Sequence, residues 1–454
     1  MKLLYVACGD KDGLFRISEG VHKMLDEKKV PHVYRVIPGG AHDFKVWKSD
    51  LYHFSQLIFQ NGKATAPEAK KPAAAPLPPP VEDFQPAPSN QSGKQYPQVN
   101  SERRIRFRIV APQAQRVFVP EWGGVELTKG PDGAWVGVSR PVDEGFHYYR
   151  VNIDGADVAD PGSQTFFGAS RWGSAIEIPA QDAEFYSLKN VPHGQIRQVH
   201  YFSKSTNKNR RCFVYTPPGY DKNPTARYPV LYLQHGGGED ETCWPTQGRT
   251  GWIIDNLIAA GKCQPLIIVM ENGGVSGPRP AAPPGAAPGA PPAAPATPGA
   301  QRPAGGPPRF NFSAFSKIVT EELIPFIDAE FRTQSDREHR AMAGLSMGAM
   351  QTKQITLANL DLFSHIGLFS GGSIAPNELP KGDAEAFKKQ VKVLFVSYGS
   401  REAGGVTNAK TNHDALEKLG ISNSIYVSPE TGHEWQSWRR SLYQFAPLLF
   451  QEKK

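Results

Sequence analysis

Three features are scarce in this sequence: cysteine, long apolar runs and long runs of charge of one sign. The four cysteines among 454 residues, Cys8, Cys212, Cys243 and Cys263, have neither the spacing of metal ligands nor the density of a disulfide framework. A bridge between Cys243 and Cys263 is conceivable, and two free thiols fit equally well. No apolar stretch approaches the length of a membrane span. The net charge of +7 is small for the length and the lysines and arginines are scattered, so nucleic-acid binding is not expected.

The composition, 39% hydrophobic and 21% charged, is that of a soluble globular chain with room for two or three domains. Two segments interrupt this composition. Residues 64–94 are rich in Pro and Ala and predict an extended linker. Residues 275–309 are almost entirely Pro, Ala and Gly and predict a disordered insertion, because they have no large apolar side chains with which to build a core.

The rest of the chain has two different apolar patterns. Residues 95–182 contain short alternating runs between turn residues, as in "RIRFRIVAP" and "AWVGVSR", which predicts a small all-β sandwich. Residues 190–454 alternate strand-length apolar runs with segments of helical periodicity, which predicts an α/β fold with a doubly wound, mainly parallel sheet. The insertion follows one of these strands and would lie at the carboxyl edge of the sheet, where such folds bind ligands.

The chain also contains an internal repeat. "HDFKVWKSDLYHFSQLIF" at 42–59 resembles "HEWQSWRRSLYQFAPLLF" at 433–450, and "KLLYVACGDKD" at 2–12 resembles "KVLFVSYGSRE" at 392–402. His42 and Asp12 of the first copy thus correspond to His433 and Glu402 of the second. Residues 1–63 are therefore predicted to form a partial α/β fragment of strand, helix, strand and helix. The start, "MKLLYVAC", is interpreted as its first strand, because its apolar run is too short for a signal sequence.

The pentapeptide "GLSMG" at 344–348 follows a predicted strand and precedes a predicted helix. This is the context of a nucleophile elbow, in which flanking glycines allow a sharp turn that exposes the serine hydroxyl. A Gly-rich chain produces such a pentapeptide by accident fairly often, so the strand and helix around it matter more than the letters. They predict Ser346 as a nucleophile rather than an ordinary turn serine.

A serine nucleophile needs a base and an acid that orients the base. His433, in "PETGHEW" after the last predicted strand, fits the base better than His365, His413, His193 or His200, which lie in a strand, on a helix or before the sheet. The acid should lie between serine and histidine in chain order. Glu402 occupies that place, and Glu430 and Asp414 remain competitors.

"QHGGGEDETCW" at 234–244 leaves the first long strand as a Gly-rich turn. Its backbone N–H near Gly237, together with that of Met347, could hold a tetrahedral oxyanion. A phosphate cradle would require a Lys-Ser/Thr ending that is missing, and the acidic residues and histidine there have no recognised zinc spacing. Candidates for contact with the substrate are His235, Trp244, Asn272 and Trp435.

Taken together in this order and spacing, "VYTPPGYDKN", "YPVLYLQHGGGEDETCW", "IIVMENG", "AGLSMG", "LFSGG" and "TGHEW" resemble the carbohydrate esterase family one enzymes. The likeness covers about residues 190–451 and implies an α/β-hydrolase with Ser346, His433 and an acid at Glu402 as its triad. Departures from the family are Glu for the usual Asp and the long Pro/Ala/Gly insertion. "FRIVAPQAQRV" and "YYRVNIDGADVADPGS" resemble the immunoglobulin-like (E-set) carbohydrate-binding module of family forty-eight that precedes such esterases.

The resemblance implies a serine esterase of plant cell-wall polysaccharide that needs no metal or organic cofactor. A feruloyl esterase acting on arabinoxylan is favoured; the alternatives are an acetylxylan esterase, more distantly an enterochelin-type esterase, and, in another class, a non-catalytic carbohydrate-binding protein. Relatives of this kind are usually exported, which implies a secreted or periplasmic location. Residues 1–60 resemble the C-terminal part of a second such esterase, so the chain is expected to begin inside a tandem enzyme. The sequence gives no oligomeric state.

Overall fold

The computed structural model of the protein describes residues 4–57, 78–274, 312–379 and 384–451. It divides into two compact units, Met1–Pro78 and Pro79–Lys454. The predicted insertion at 275–309 and the first part of the predicted linker, 64–77, lie outside the described residues. No helix in the described part of the chain is long and apolar enough to cross a membrane.

The first unit is a two-stranded parallel sheet with two helices. Strand β1 (Tyr5–Gly9) pairs with β2 (Val33–Ile37), and helices α1 (Phe15–Glu27) and α2 (Phe44–Leu57) follow the strands in turn. The predicted order of strand, helix, strand and helix is confirmed, and β1 occupies the stretch that could pass for a signal sequence. At the ends of the strands Oδ2 of Asp12 lies 2.8 Å from Nδ1 of His42.

The second unit begins with a region built of short antiparallel strands, as predicted for residues 95–182. Its sheets have the orders β10-β14-β13, β12-β11-β6-β7 and β3-β4-β5-β9-β8. The strands are β3 (Gln85–Pro86), β4 (Gln98–Val99), β5 (Ile105–Val110), β6 (Val117–Val119), β7 (Val125–Glu126), β8 (Thr128–Lys129), β9 (Ala134–Val138), β10 (Gly145–Tyr149), β11 (Val151–Ile153), β12 (Ala156–Val158), β13 (Thr165–Gly168) and β14 (Arg171–Ile178). We call residues 85–178 the β-rich region. Alternate residues of these strands, such as Phe107 and Trp135, form one apolar core.

The boundary of the β-rich region differs from the prediction. The sequence assigned residues 64–94 to a linker, but β3 pairs with β4, and Phe84, Ala87 and Ser89 are buried. The hydroxyl of Ser89 also accepts a hydrogen bond from the Glu177 N–H at 3.0 Å. Proline and alanine content misled the prediction, because an edge strand tolerates Pro86 and gains its partners from distant residues.

The remainder of the second unit is an eight-stranded mixed sheet of order β15-β16-β18-β17-β19-β20-β21-β22. Its strands are β15 (Gln195–Ser203), β16 (Lys208–Thr216), β17 (Val230–Gln234), β18 (Ile267–Glu271), β19 (Arg340–Leu345), β20 (His365–Phe369), β21 (Val393–Gly399) and β22 (Ser424–Ser428). Strand β16 is antiparallel to β15 and β18, and the other pairs are parallel. The predicted doubly wound, mainly parallel sheet is confirmed.

Helices cover both faces of this sheet. They are α3 (Thr250–Ala259), α4 (Ser313–Lys317), α5 (Ile324–Glu330), α6 (Met347–Ala358), α7 (Ala384–Gln390), α8 (Ala403–Glu417) and α9 (Trp435–Phe445), with a π-helical turn at Ile318–Leu323 between α4 and α5. Leu231 and Leu233 of β17 pack toward α3 and α9, and Val230 and Tyr232 pack toward α4 and α5. Strand β17 is buried along its whole length because alternate side chains enter opposite cores.

The β-rich region and the α/β sheet share a buried ionic contact. Glu177 of β14 accepts two hydrogen bonds from the guanidinium of Arg439 on α9, at 2.7 and 3.0 Å, and a third from Arg249 at 3.1 Å. The Arg439 side chain is 0% exposed and the Glu177 side chain 5%. A charge pair so deeply buried fixes the β-rich region against the helix that follows His433.

All four cysteines are buried and free. The bridge between Cys243 and Cys263 that the sequence left open is therefore not formed. The thiol of Cys243 instead donates to the carbonyl oxygen of Phe167 in the β-rich region at 3.2 Å. Cys243 and Cys263 act as small core residues, and burial raises the pKa of both of their thiols.

Candidate active site

Ser346 lies in the sharp turn between β19 and α6. Its backbone has φ 52° and ψ −115°, an unfavourable combination for a residue other than glycine. The Ser346 N–H donates to the carbonyl oxygen of Phe369 on the neighbouring strand at 2.7 Å, which holds the turn in place. The strain at this residue lifts its hydroxyl above the carboxyl edge of the sheet, as a nucleophile elbow requires.

Two glycines flank the serine because the backbones approach too closely for side chains. A Cβ at Gly344 would lie 2.5 Å from the backbone of Gly348, and a Cβ at Gly348 would lie 2.5 Å from the carbonyl oxygen of His235. Backbone atoms cannot yield as a flexible side chain can. The glycines in "GLSMG" are thus explained by the packing of the turn against α6 and β17.

His433 and Glu402 complete a hydrogen-bonded chain that begins at Ser346. Nε2 of His433 lies 2.9 Å from Oγ of Ser346, and Nδ1 lies 2.8 Å from Oε1 of Glu402. The three side chains come from loops after β19, β21 and β22, whose carboxyl ends meet at one edge of the parallel sheet. His433 is 48% exposed, so the serine–histidine pair is open to solvent. The arrangement can pass the Ser346 proton to an imidazole held by a carboxylate.

Glu402 is held as a carboxylate by three donors. Besides His433, Oε2 accepts from the hydroxyl of Ser370 at 2.7 Å and from the Gly399 N–H at 2.8 Å. Burial of Glu402 opposes its ionisation, but these hydrogen bonds outweigh burial and lower its pKa below the ordinary value. Such a carboxylate stays charged at neutral pH and can stabilise the imidazolium that forms on His433.

The Gly-rich turn after β17 passes directly over the elbow. A Cβ at Gly236 would lie 3.5 Å from Cβ of Ser346, and one at Gly237 would lie 4.0 Å from Cβ of Met347. The Gly236 N–H already donates to Oε2 of Glu239 at 3.1 Å. Met347 is the first residue of α6, so its N–H has no acceptor within the helix. Gly237 and Met347 are therefore neighbours beside the elbow, as the predicted pair of N–H donors requires.

A family model described as "Putative esterase" matches residues 203–449, which include every residue of this geometry. The chain belongs to this esterase family. The match covers more than half of the protein, and the serine, histidine and glutamate fall in its second half.

The esterase also resembles individual proteins. It is 43% identical over 380 residues to the endo-1,4-beta-xylanase/feruloyl esterase of Xylanibacter ruminicola. This match covers 82% of this chain and 48% of the relative. It is 25% identical over 333 residues to endo-1,4-beta-xylanase Y of Acetivibrio thermocellus, covering 66% of this chain and 27% of that protein. The chain thus spans about half the length of the first relative and about a quarter of the second.

Among solved structures, the enterochelin esterase of Shigella flexneri matches with a TM-score of 0.51 at 16% identity, covering 77% of this chain and 92% of that chain. Similarity at this level establishes the fold alone. The α/β-hydrolase fold that the sequence implied is thereby confirmed.

Three of the four predicted substrate contacts need correction. His235, Trp244 and Trp435 are 2%, 1% and 1% exposed, so none of them can face a substrate. His235 binds backbone on both sides: Nδ1 donates to the Gly236 carbonyl at 2.8 Å, and Nε2 accepts from the Gly273 N–H at 3.0 Å. The esterase uses these side chains to shape the turn around the site rather than to line it.

Asn272, the fourth candidate, is half-buried at the end of β18. Its side-chain oxygen accepts from the Gly274 N–H at 2.8 Å, and its carbonyl oxygen accepts a hydrogen bond from Arg210. A role in substrate contact stays a prediction for this residue.

Three of the four competing histidines of the esterase have structural partners. Burial lowers the pKa of His365 to about 3, and its ring bonds to Ser364. His193 lies 2.9 Å from Asp255, and His413 lies 2.8 Å from Asn423. His200 has no such tie among the contacts described and lies exposed on strand β15, which is at the edge of the sheet far from β22.

Sequence reasoning missed Ser370, Glu239 and Tyr148. Ser370 stands in the quoted "LFSGG" motif, where its position after β20 could have suggested contact with the acid after β21. Glu239 was passed over as one of several acids in the Gly-rich turn. Tyr148 of the β-rich region donates to Oε1 of Glu239 at 3.1 Å, and nothing in the sequence indicated this contact across a separation of 91 residues.

Proposed function

We propose that this esterase hydrolyses hydroxycinnamate esters of plant cell-wall xylan, as a feruloyl esterase. The single observation that carries the catalytic part is the hydrogen-bonded chain Ser346–His433–Glu402, with distances of 2.9 and 2.8 Å on a strained elbow. The substrate part is supported by the Xylanibacter ruminicola relative, whose name joins a xylanase with a feruloyl esterase.

In the proposed mechanism Oγ of Ser346 attacks the ester carbonyl while Nε2 of His433 accepts the hydroxyl proton. The imidazolium, stabilised by Glu402, then donates this proton to the departing sugar oxygen, and an acyl-enzyme is left on Ser346. Water next loses a proton to His433 and attacks the acyl carbon, which frees the acid and restores the serine. Glu402 carries negative charge throughout and keeps Nδ1 of His433 protonated.

The tetrahedral intermediates need donors for the negative charge on the former carbonyl oxygen. We assign these donors to the N–H groups of Gly237 and Met347. Gly236 lies closer to Ser346 than Gly237 does, but the Gly236 N–H already donates to the Glu239 carboxylate. Each donor aimed at the developing charge contributes about 10²–10³ to kcat in enzymes of this kind.

The secreted or periplasmic location stays a prediction.

The other candidate functions are two esterases with different substrates and one protein without catalytic activity. An acetylxylan esterase would use the same catalytic chain on a smaller acyl group. A siderophore esterase gains no support from the likeness to enterochelin esterase, because similarity at 16% identity shows the fold and carries no information on substrate. A non-catalytic carbohydrate-binding protein would have no use for the alignment of the three catalytic side chains.

A substrate panel tests the proposal. The purified full chain would be assayed against methyl ferulate, acetylated xylan and a catecholate siderophore ester, each beside Ser346→Ala. We expect the highest kcat/KM on methyl ferulate and release of ferulate from feruloylated arabinoxylan. Ser346→Ala should lose at least about 10³-fold in kcat on all substrates and retain its unfolding midpoint.

Two results would contradict the proposal. Higher kcat/KM on acetylated xylan than on methyl ferulate would transfer the function to acetylxylan esterases. Hydrolysis by Ser346→Ala within tenfold of wild type would remove the serine from the mechanism, whatever the substrate.

A further inference from the structure

The hydroxyl of Tyr148, at the end of the β-rich region's strand β10, makes a full set of hydrogen bonds with the α/β region. It accepts from Nε2 of Gln247 at 2.7 Å and from Nε1 of Trp435 at 3.2 Å. It donates to Oε1 of Glu239 at 3.1 Å. A hydroxyl has one proton and two lone pairs, so these three contacts use all its capacity and fix the position of the phenol oxygen. The carbonyl oxygen of Phe167, at 3.4 Å, is a more distant acceptor for the same proton.

Glu239 carries this constraint to the Gly-rich turn. Its Oε1 is held by Tyr148, and its Oε2 accepts the Gly236 N–H at 3.1 Å. In its ionised form the Glu239 carboxylate is a rigid planar group with two acceptor oxygens, so holding Oε1 restricts the positions open to Oε2. The backbone at Gly236 therefore cannot rotate freely, and this residue directly precedes the proposed oxyanion donor Gly237.

A second contact from the β-rich region holds Gly238, the residue that follows Gly237 in the same turn. The N–H of Ser170 donates to the carbonyl oxygen of Gly238 at 2.7 Å. Ser170 and Ala169 form the tip of the β13–β14 hairpin with φ 63° and 50°, the left-handed values that a tight two-residue hairpin turn requires. Gly237 thus stands between two residues, Gly236 and Gly238, that are both held from the β-rich region.

We propose that Tyr148 is a positioning residue of the esterase: through Glu239 it fixes the oxyanion turn, so that the β-rich region is part of the catalytic apparatus. This inference rests on the proposed function, since the turn matters only if Ser346 attacks an acyl group. Ser170 supports the same turn from the other side through its backbone. In this proposal the β-rich region supports the reaction directly rather than only lying beside the α/β region.

The expected signature is a loss in kcat at nearly constant KM. Oxyanion donors contact the carbonyl oxygen most strongly after it has become charged, so a loosened donor weakens the transition state more than substrate binding. Complete loss of a donor lowers kcat by about 10²–10³, and loss of its support should cost less, about tenfold.

Tyr148→Phe removes the hydroxyl and keeps the ring. Its matched control is Tyr149→Phe on the same strand, whose hydroxyl donates to Asp160 at 2.7 Å inside the core of the β-rich region. Both variants remove one buried hydroxyl from adjacent tyrosines that face opposite sides of the strand. We expect Tyr148→Phe to lower kcat about tenfold with KM within twofold, and Tyr149→Phe to lower the unfolding midpoint with kcat unchanged.

Glu239→Gln provides an independent variant if Tyr148→Phe does not fold. The glutamine oxygen can accept from Gly236, but its amide then meets the Tyr148 hydroxyl, whose lone pairs are already occupied. It should also lose about tenfold in kcat. Because both residues act through one link, the double variant should be no slower than Glu239→Gln alone.

The assays are 4-nitrophenyl acetate hydrolysis and the rate of Ser346 labelling by a fluorophosphonate, neither of which depends on the natural acyl group. A failure to cleave methyl ferulate would thus overturn the substrate proposal and leave this inference testable. The inference is overturned if kcat of Tyr148→Phe stays within twofold of wild type, if KM alone changes, if Tyr149→Phe loses as much kcat, or if the two losses multiply in the double variant.

Discussion

Replacing Glu402 by glutamine tests whether the Glu402 carboxylate sets the tautomer of His433 in the proposed catalytic chain. In the wild type Oε1 accepts from Nδ1 of His433, and Oε2 accepts from Ser370 and from the Gly399 N–H. A glutamine has one oxygen and one amide in place of the two oxygens. The fixed Gly399 N–H requires the oxygen, so the amide must turn toward His433.

That orientation forces the wrong tautomer on the histidine. An amide N–H donates to Nδ1, so the ring proton moves to Nε2, which can then no longer accept the proton of Ser346. The equivalent amide substitution in a Ser-His-Asp triad lowers kcat about 10⁴-fold. This corresponds to about 5.5 kcal/mol of transition-state stabilisation, at about 1.36 kcal/mol for each tenfold change.

The assay is kcat and KM on methyl ferulate for Glu402→Gln beside two controls. Glu430→Gln changes an exposed acid of the His433 loop and should retain wild-type kcat. Glu402→Asp keeps the charge and imitates the first unit, where Asp12 lies 2.8 Å from Nδ1 of His42. It should retain far more activity than Glu402→Gln, because the correct tautomer survives.

Two outcomes would refute the reasoning. A loss of less than about 30-fold in Glu402→Gln would mean that the carboxylate does not set the histidine tautomer. A greater loss in Glu430→Gln than in Glu402→Gln would mean that the acid has been assigned to the wrong residue.

Three further predictions concern stability and domain dependence. Glu177→Gln should lower the free energy of unfolding by about 3–5 kcal/mol in urea titration, because it leaves Arg439 and Arg249 without their buried partner; a change below about 1 kcal/mol would contradict this. Removal of residues 1–78 should leave kcat/KM on 4-nitrophenyl acetate unchanged, since every residue of the proposed catalytic chain lies in the second unit; a tenfold loss would show that the first unit supports the site. Burial raises the pKa of Glu239 from 4.5 to about 7, so the folded protein retains a proton that the unfolded chain releases, and the free energy of unfolding should fall by about 3 kcal/mol as pH rises through this interval. Glu239→Gln should reduce that fall, and identical pH dependence of urea unfolding in both proteins would contradict it.

The arrangement of the proposed catalytic residues was predictable because local chemistry and chain order restrict it. Ser346 needs glycines on both sides within five residues, and those glycines are visible in the sequence. His433 and Glu402 follow consecutive strands of a parallel sheet, whose carboxyl ends must meet at one edge. The repeat supplied independent support, because Asp12 and His42 form the same contact in the first unit.

The roles of the aromatic residues were not predictable in the same way. Trp244 and Trp435 lie beside catalytic motifs, and nearness in sequence suggested contact with substrate. Each indole is instead buried, with Nε1 bonded to the carbonyl oxygen of Gln234 and to the hydroxyl of Tyr148 respectively. Burial depends on what else packs against a side chain, and here the partners are distant in sequence: Trp244 packs against Phe369 and Trp435.

The sequence by itself determined the α/β sheet, the elbow and the order of the proposed catalytic residues, because apolar periodicity and glycine requirements act over a few residues. Only the tertiary structure decided which N–H groups of the Gly-rich turn are occupied and what holds them. Glu239 removes the Gly236 N–H from the set of free donors, and Tyr148 fixes Glu239 from 91 residues away. Hydrogen bonds between such distant residues leave no periodicity or motif in a single sequence, since they form only when the folded chain brings two surfaces together.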